Sequence, residues 1–178
     1  MSFNIDIMKK RLLIKYPFFG SILANTSFIV TDSLQTAATD GKNIYYNPNF
    51  VNSLKEKEQT FLFAHEVCHI AFNHIYRSEG KNQKLWNIAT DGVINSLLSQ
   101  KDGLPIIEGG VNIEDAFKYD AEELYEKLLE EQEKNNSSNN NESSQSDDSE
   151  NLENENTHDV GHDTHSMWSE AIKKKKEK

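Results

Sequence analysis

Two histidines four residues apart, with a glutamate directly after the first, stand inside the most apolar stretch of the chain. They form His65-Glu66-Val67-Cys68-His69, embedded in TFLFAHEVCHIAFNHIY at residues 60–76. On a helix, residues four apart share a face with Cβ atoms about 5–6 Å apart, so both imidazoles can reach one ion. Tetrahedral zinc accepts nitrogens at about 2.0–2.1 Å, and the HExxH spacing suits that geometry. Glu66 then stands beside the metal, placed to take a proton from a zinc-bound water as a general base. The competing reading is a pair of hydrogen-bonded core histidines. The surroundings weigh against it, because Phe61, Leu62, Phe63, Ala64, Val67, Ile70, Ala71, Phe72 and Ile75 cover nearly every side of the helix. Polar groups without partners are costly in such a segment, so their presence asks for a chemical reason.

The flanking sequence supplies elements to hold this helix. Ser53-Leu54-Lys55-Glu56 has the form of a capping box, which predicts a central helix from there to about Arg77, stopped by Gly80. Residues 82–100 predict a second helix with an apolar surface of Leu85, Trp86, Ala89, Val93, Leu97 and Leu98, ended by Gly103. Across that surface Asn87, Asp91 and Asn95 recur every four residues. They are either a carboxylate turned inward with an amide a turn to each side, or an ordinary solvated stripe.

Upstream, residues 3–16 have helical spacing and end before Pro17. Residues 27–31 are rich in β-branched and aromatic types, and residues 34–39 are separated from 42–46 by Asp40-Gly41, a hairpin dipeptide. These segments predict a small antiparallel sheet, closed by Asn47-Pro48. Downstream, Asp120-Ala121-Glu122-Glu123 is a second capping box, opening an acidic helix to about Gln132 with Leu124, Leu128 and Leu129 inward. Beyond Lys134 the composition turns to Asn, Ser, Glu and Asp up to Thr157, which predicts a disordered linker at 134–157. Residues 158–178 carry His158, His162 and His165 among aspartates before a Lys-rich end. Such tracts can bind metal, although adventitious affinity is the commoner explanation. The expected layout is thus a domain over 1–133, the linker, and this terminal segment.

The whole chain narrows the function. A net charge of −10 over 178 residues argues against a general nucleic-acid binder, while the acidic tail could meet a partner protein. No run approaches a transmembrane span, and Lys15 and Pro17 interrupt Leu12-Leu13-Ile14 before it could form a secretory core, so a cytoplasmic protein is expected. The single cysteine, Cys68, cannot form an internal disulfide and reads as a small buried apolar residue.

Taken together, YYNPNFV at residues 45–51, HEVCHIAFNHIYR at 65–77, WNIATDGVIN at 86–95 and HSMW at 165–168 resemble the metallopeptidase domain that precedes a von Willebrand A-like domain in many bacterial proteins. The resemblance implies an α+β, zincin-like fold: a small sheet on the HExxH helix and a following ligand-bearing helix. It implies zinc held by His65 and His69, Glu66 as general base, Asp91 as third ligand and Asn95 as its outer support. The metzincin extension is absent, since Phe72 and Ile75 stand where its Gly and third His would be. On an uninterrupted helix His74 faces about 140° away from His69, which predicts an ordinary polar contact for it. No von Willebrand A-like domain lies within these 178 residues, which are either a short family member or a fragment.

The resulting expectation is a zinc-dependent peptidase acting on a peptide or protein. Its substrate would lie extended along Lys42, Asn43, Ile44, Tyr45 and Tyr46 by β-augmentation. Tyr119, Arg77 and His165 are candidate oxyanion donors. The rival is a non-catalytic peptide-binding or assembly module with structural zinc, and a third reading is a metal-binding protein centred on the C-terminal His/Asp tract.

Overall fold

A computed structural model describes residues 3–139. The HSMW motif, the His/Asp segment at 158–178 and the expected linker beyond Asn139 lie outside them. The architecture is α+β, with seven α-helices among the described residues and one small sheet.

Helix α1 (Ile5–Lys15) starts at Asn4, whose Oδ1 accepts from the backbone N–H groups of Asp6 and Ile7, and Pro17 ends it by opening a 3-10 turn. After α2 (Gly20–Asn25) come three strands: β1 (Ser27–Val30), β2 (Ala37–Thr39) and β3 (Asn43–Tyr46). The Asp40-Gly41 turn forms as expected. Gly41 adopts φ 87°, and Asp40 Oδ1 accepts from Lys42 N and Asn43 N.

The sheet itself departs from the expected antiparallel arrangement. Its order is β1-β3-β2, with β3 antiparallel to β2 but parallel to β1. The chain leaving β1 crosses the end of β3 before turning back as β2. Asn47 stitches that crossing, its N–H donating to Thr36 O and its Nδ2 to Leu34 O. β3 therefore has a partner on both sides, and residues 42–46 cannot receive a substrate strand. Its backbone groups already pair with Ser27–Val30 and Ala37–Thr39, which rules out the β-augmentation expected there.

Asn47 also caps α3 (Pro48–Ser53), with Pro48 in the first turn. Helix α4 (Glu56–Ala71) carries the HExxH sequence. It starts two residues later than the Ser53 capping box implied, because the Ser53 hydroxyl donates to Phe50 O and closes α3. Glu58 does the capping instead, its Oε2 accepting from Lys55 N. The helix also ends early. Asn73 takes the left-handed conformation (φ 57°, ψ 34°), and a separate turn, α5 (His74–Arg77), follows. Asparagine tolerates that region better than most residues, so one residue splits the long expected helix.

Helix α6 (Gln83–Ser96) is capped by Asn82 and passes through a π-turn at Leu97–Lys101 to Gly103. Helix α7 (Ala121–Asn139) opens on the expected reciprocal capping box between Asp120 and Glu123, and runs past residue 134, where the compositional boundary falls. Gly92 lets this helix approach α6 closely: a Cβ there would stand 2.9 Å from Ile113 Cδ1 and 3.3 Å from Leu124 Cδ2.

Two apolar clusters result. The first joins α1, α2, the sheet and α4, with Phe63 packed among Phe3, Phe28 and Tyr46. The second joins α5, α6 and α7 around the fully buried Trp86. Among the described residues no helix is long and apolar enough to cross a membrane.

Candidate metal centre

Helices α4 and α6 meet with their polar residues face to face. His65 and His69, one turn apart on α4, direct Nε2 toward each other at 2.9 Å. Asp91 Oδ1 of α6 approaches them at 3.6 and 3.2 Å respectively. One donor atom from each residue fits within a 4.8 Å set, and all three residues are buried. The inward reading of the Asn87, Asp91 and Asn95 row is the one observed, since all three are buried too.

The outer nitrogens show why the inner ones converge. Asn95 Nδ2 donates to Val111 O at 2.8 Å, which leaves its Oδ1 as the acceptor facing His65 Nδ1, also at 2.8 Å. The single hydrogen of neutral His65 therefore sits on Nδ1, and its Nε2 lone pair faces the centre. Burial, followed by the neighbouring His69, holds His65 neutral and lowers its pKa to about 4. Neutral imidazole is the form a metal needs.

His69 is supported differently, with its Nδ1 3.2 Å from Nδ1 of His74. His74 is itself held neutral, chiefly by burial and secondarily by His69. The helical-wheel expectation that His74 faces away fails because α4 has already ended: the left-handed Asn73 turns His74 back onto the histidine pair. The only sequence signal for this was an asparagine just before it, too weak a mark to foresee a break.

Glu66 is buried on α4 at 2 % exposure, one residue from His65. Cys68 is buried as well, and its thiol is pushed up to about 12 by burial and by Asp102, so it stays protonated. A small cleft opens onto the centre, lined by Phe61, Leu62, Ile107 and Val111 together with His65, Asp91 and Asn95. Sequence reasoning missed the segment bearing Ile107 and Val111, which is a Gly- and Pro-punctuated connection without periodicity. Two candidate oxyanion donors do not line this cleft. Arg77 is committed to Glu122 and to Phe72 O, and Tyr119 packs on the second cluster beneath Lys127 Nζ. His165 lies outside the described residues.

Two imidazole nitrogens and a carboxylate oxygen, converging in a buried site with the outer nitrogen of each histidine already partnered, have the donor chemistry of a metal centre. The residues fit a bound ion: His65 is held neutral with its Nε2 lone pair toward the centre, His69 Nε2 lies beside it, and the Asp91 carboxylate would offset the ion's charge. The sequence matches the family described as "Putative metallopeptidase domain" over residues 4–178, and the chain belongs to that family. No curated protein matches the chain, and no solved structure does.

Proposed function

We propose that the protein is a zinc-dependent metallopeptidase of zincin-like fold. The observation that carries this reading is the convergence of His65 Nε2, His69 Nε2 and Asp91 Oδ1 at the end of an apolar-walled cleft. Three protein ligands of this type match catalytic zinc sites, whereas structural sites close the sphere with four.

When bound, zinc would polarise the scissile carbonyl and make an attacking water more acidic. His65 and His69 would hold it through Nε2 and Asp91 through Oδ1. Glu66 takes the proton from the attacking water on its carboxylate and returns it to the departing amine, the role its place in the motif supports. The apolar walls at Phe61, Leu62, Ile107 and Val111 exclude water from beside the scissile bond, which strengthens each polar interaction there.

The test pairs metal content with turnover. Glu66→Gln keeps size but cannot accept the proton, so it should retain stoichiometric zinc and lose hydrolysis across a peptide library. Unchanged turnover in that variant would overturn the general-base assignment. A wild-type chain that binds zinc and cleaves nothing would transfer support to a peptide-binding module with structural zinc.

A further inference from the structure

We infer that His74 is a positioning residue for the metal centre, acting as the neutral nitrogen acceptor that fixes the tautomer and ring orientation of His69. The inference rests on the reading of His65, His69 and Asp91 as metal ligands. Once His69 turns Nε2 toward an ion, the one hydrogen of its neutral ring must sit on Nδ1. That N–H has His74 Nδ1 in front of it at 3.2 Å. His74 must therefore offer a lone pair at Nδ1 and carry its own hydrogen on Nε2.

The fold is built to hold His74 in this place. Its carbonyl accepts from Trp86 Nε1 at 3.0 Å, and its ring stands edge-on to the Trp86 ring at 6.0 Å and 82°. Phe72 lies against it at 5.5 Å, and the residue is 1 % exposed. The left-handed Asn73 brings it there, because five residues of unbroken helix would carry it to another face. The two ligand histidines thus have matched supports: His65 donates to an amide oxygen of Asn95, and His69 donates to an imidazole nitrogen of His74. Neither acceptor is a carboxylate, so the outer supports orient the rings without adding negative charge to the centre. Asp91 then supplies the charge directly.

The test compares His74→Asn with His74→Leu in the full chain, using zinc alone as the probe in competition with a chromophoric chelator. Asparagine places Oδ1 where Nδ1 stands and can accept the same hydrogen; leucine keeps bulk and cannot. Leucine should weaken zinc by about 10–100-fold, the usual loss for an outer support, while asparagine stays close to wild type. Thermal unfolding of both variants without metal separates packing from positioning, since a purely structural role would lower stability and leave affinity alone. Long-range proton–nitrogen spectra of the zinc-loaded wild type give an independent reading, with hydrogen expected on Nε2 of His74 and on Nδ1 of His69. Hydrogen on His74 Nδ1 would overturn the inference, as would wild-type affinity in the leucine variant or equal losses in both variants. A wild-type chain that takes up no zinc would instead overturn the metal-centre reading beneath it.

Discussion

The apolar cluster around Phe63 and the one around Trp86 differ in how they meet the metal centre. The first gathers α1, the sheet and α4 and carries the two histidines on one rigid helix. The second gathers α5, the start of α6 and α7, and it holds the His69 support from outside through the Trp86–His74 contact. Helix α6 belongs to both, with Leu85, Trp86 and Ala89 in the second cluster and Ile94, followed by Leu98 of the π-turn, in the first. Asp91 falls between those two sets. The centre is therefore a seam: spacing along one helix places the histidines, while the docking of two clusters places the carboxylate.

The largest expected effect comes from removing the contribution made across the seam. Asp91→Ala should weaken zinc binding by orders of magnitude in isothermal titration, because two neutral imidazoles leave the ion's charge uncompensated in a dry site. Truncation after Asn139 should keep most of the affinity. The reverse result would move the third ligand into residues 158–165.

Next come the clusters themselves. Trp86→Ala and Leu12→Ala both empty fully buried positions and should cost about 3–5 and 2–5 kcal/mol in chemical denaturation. They should differ in their effect on metal. Trp86→Ala removes the donor to His74 and should also lower zinc affinity, whereas Leu12→Ala, in the cluster that does not hold His74, should leave it unchanged while the protein stays folded. Equal effects on affinity would break the comparison.

A smaller effect follows from pH. His65 has its pKa lowered from 6.5 to about 4 by burial and by His69, so the unfolded chain binds more protons than the folded one between those values. Its contribution to the metal-free protein is fully present above pH 6.5 and is lost as pH falls toward 4. The loss is on the order of 3 kcal/mol from this group. Asn95→Leu removes the Nδ1 partner and should change this profile. Denaturation at a series of pH values checks it, and a stability that rises on acidification would contradict the assignment.

The smallest effect is expected from deleting residues 140–157. Their composition offers almost nothing to bury, so the melting temperature should stay nearly unchanged. A large drop would show that this polar stretch contributes to one of the two clusters.

Local patterns were legible in the sequence because their partners lie within a few residues. The HExxH pair, the Asp40-Gly41 turn, the Asn47-Pro48 helix start and the Asp120–Glu123 cap each depend on contacts within one turn, so residue type and spacing determined them. The row of Asn87, Asp91 and Asn95 was legible as a shared face, but which way it pointed was not. Only the tertiary structure decided that, by packing α7 and Ile113 against Gly92 and turning the row toward α4. It also decided that β3 is the middle strand, since strand order depends on a crossing loop held by Asn47 and not on alternation within any strand. The place of His74 was decided by a single left-handed residue, which redirects the chain without leaving a periodic trace. Spacing along one helix is a property of the local sequence, whereas the approach of two helices reflects the burial of many side chains at once, and no short pattern encodes it.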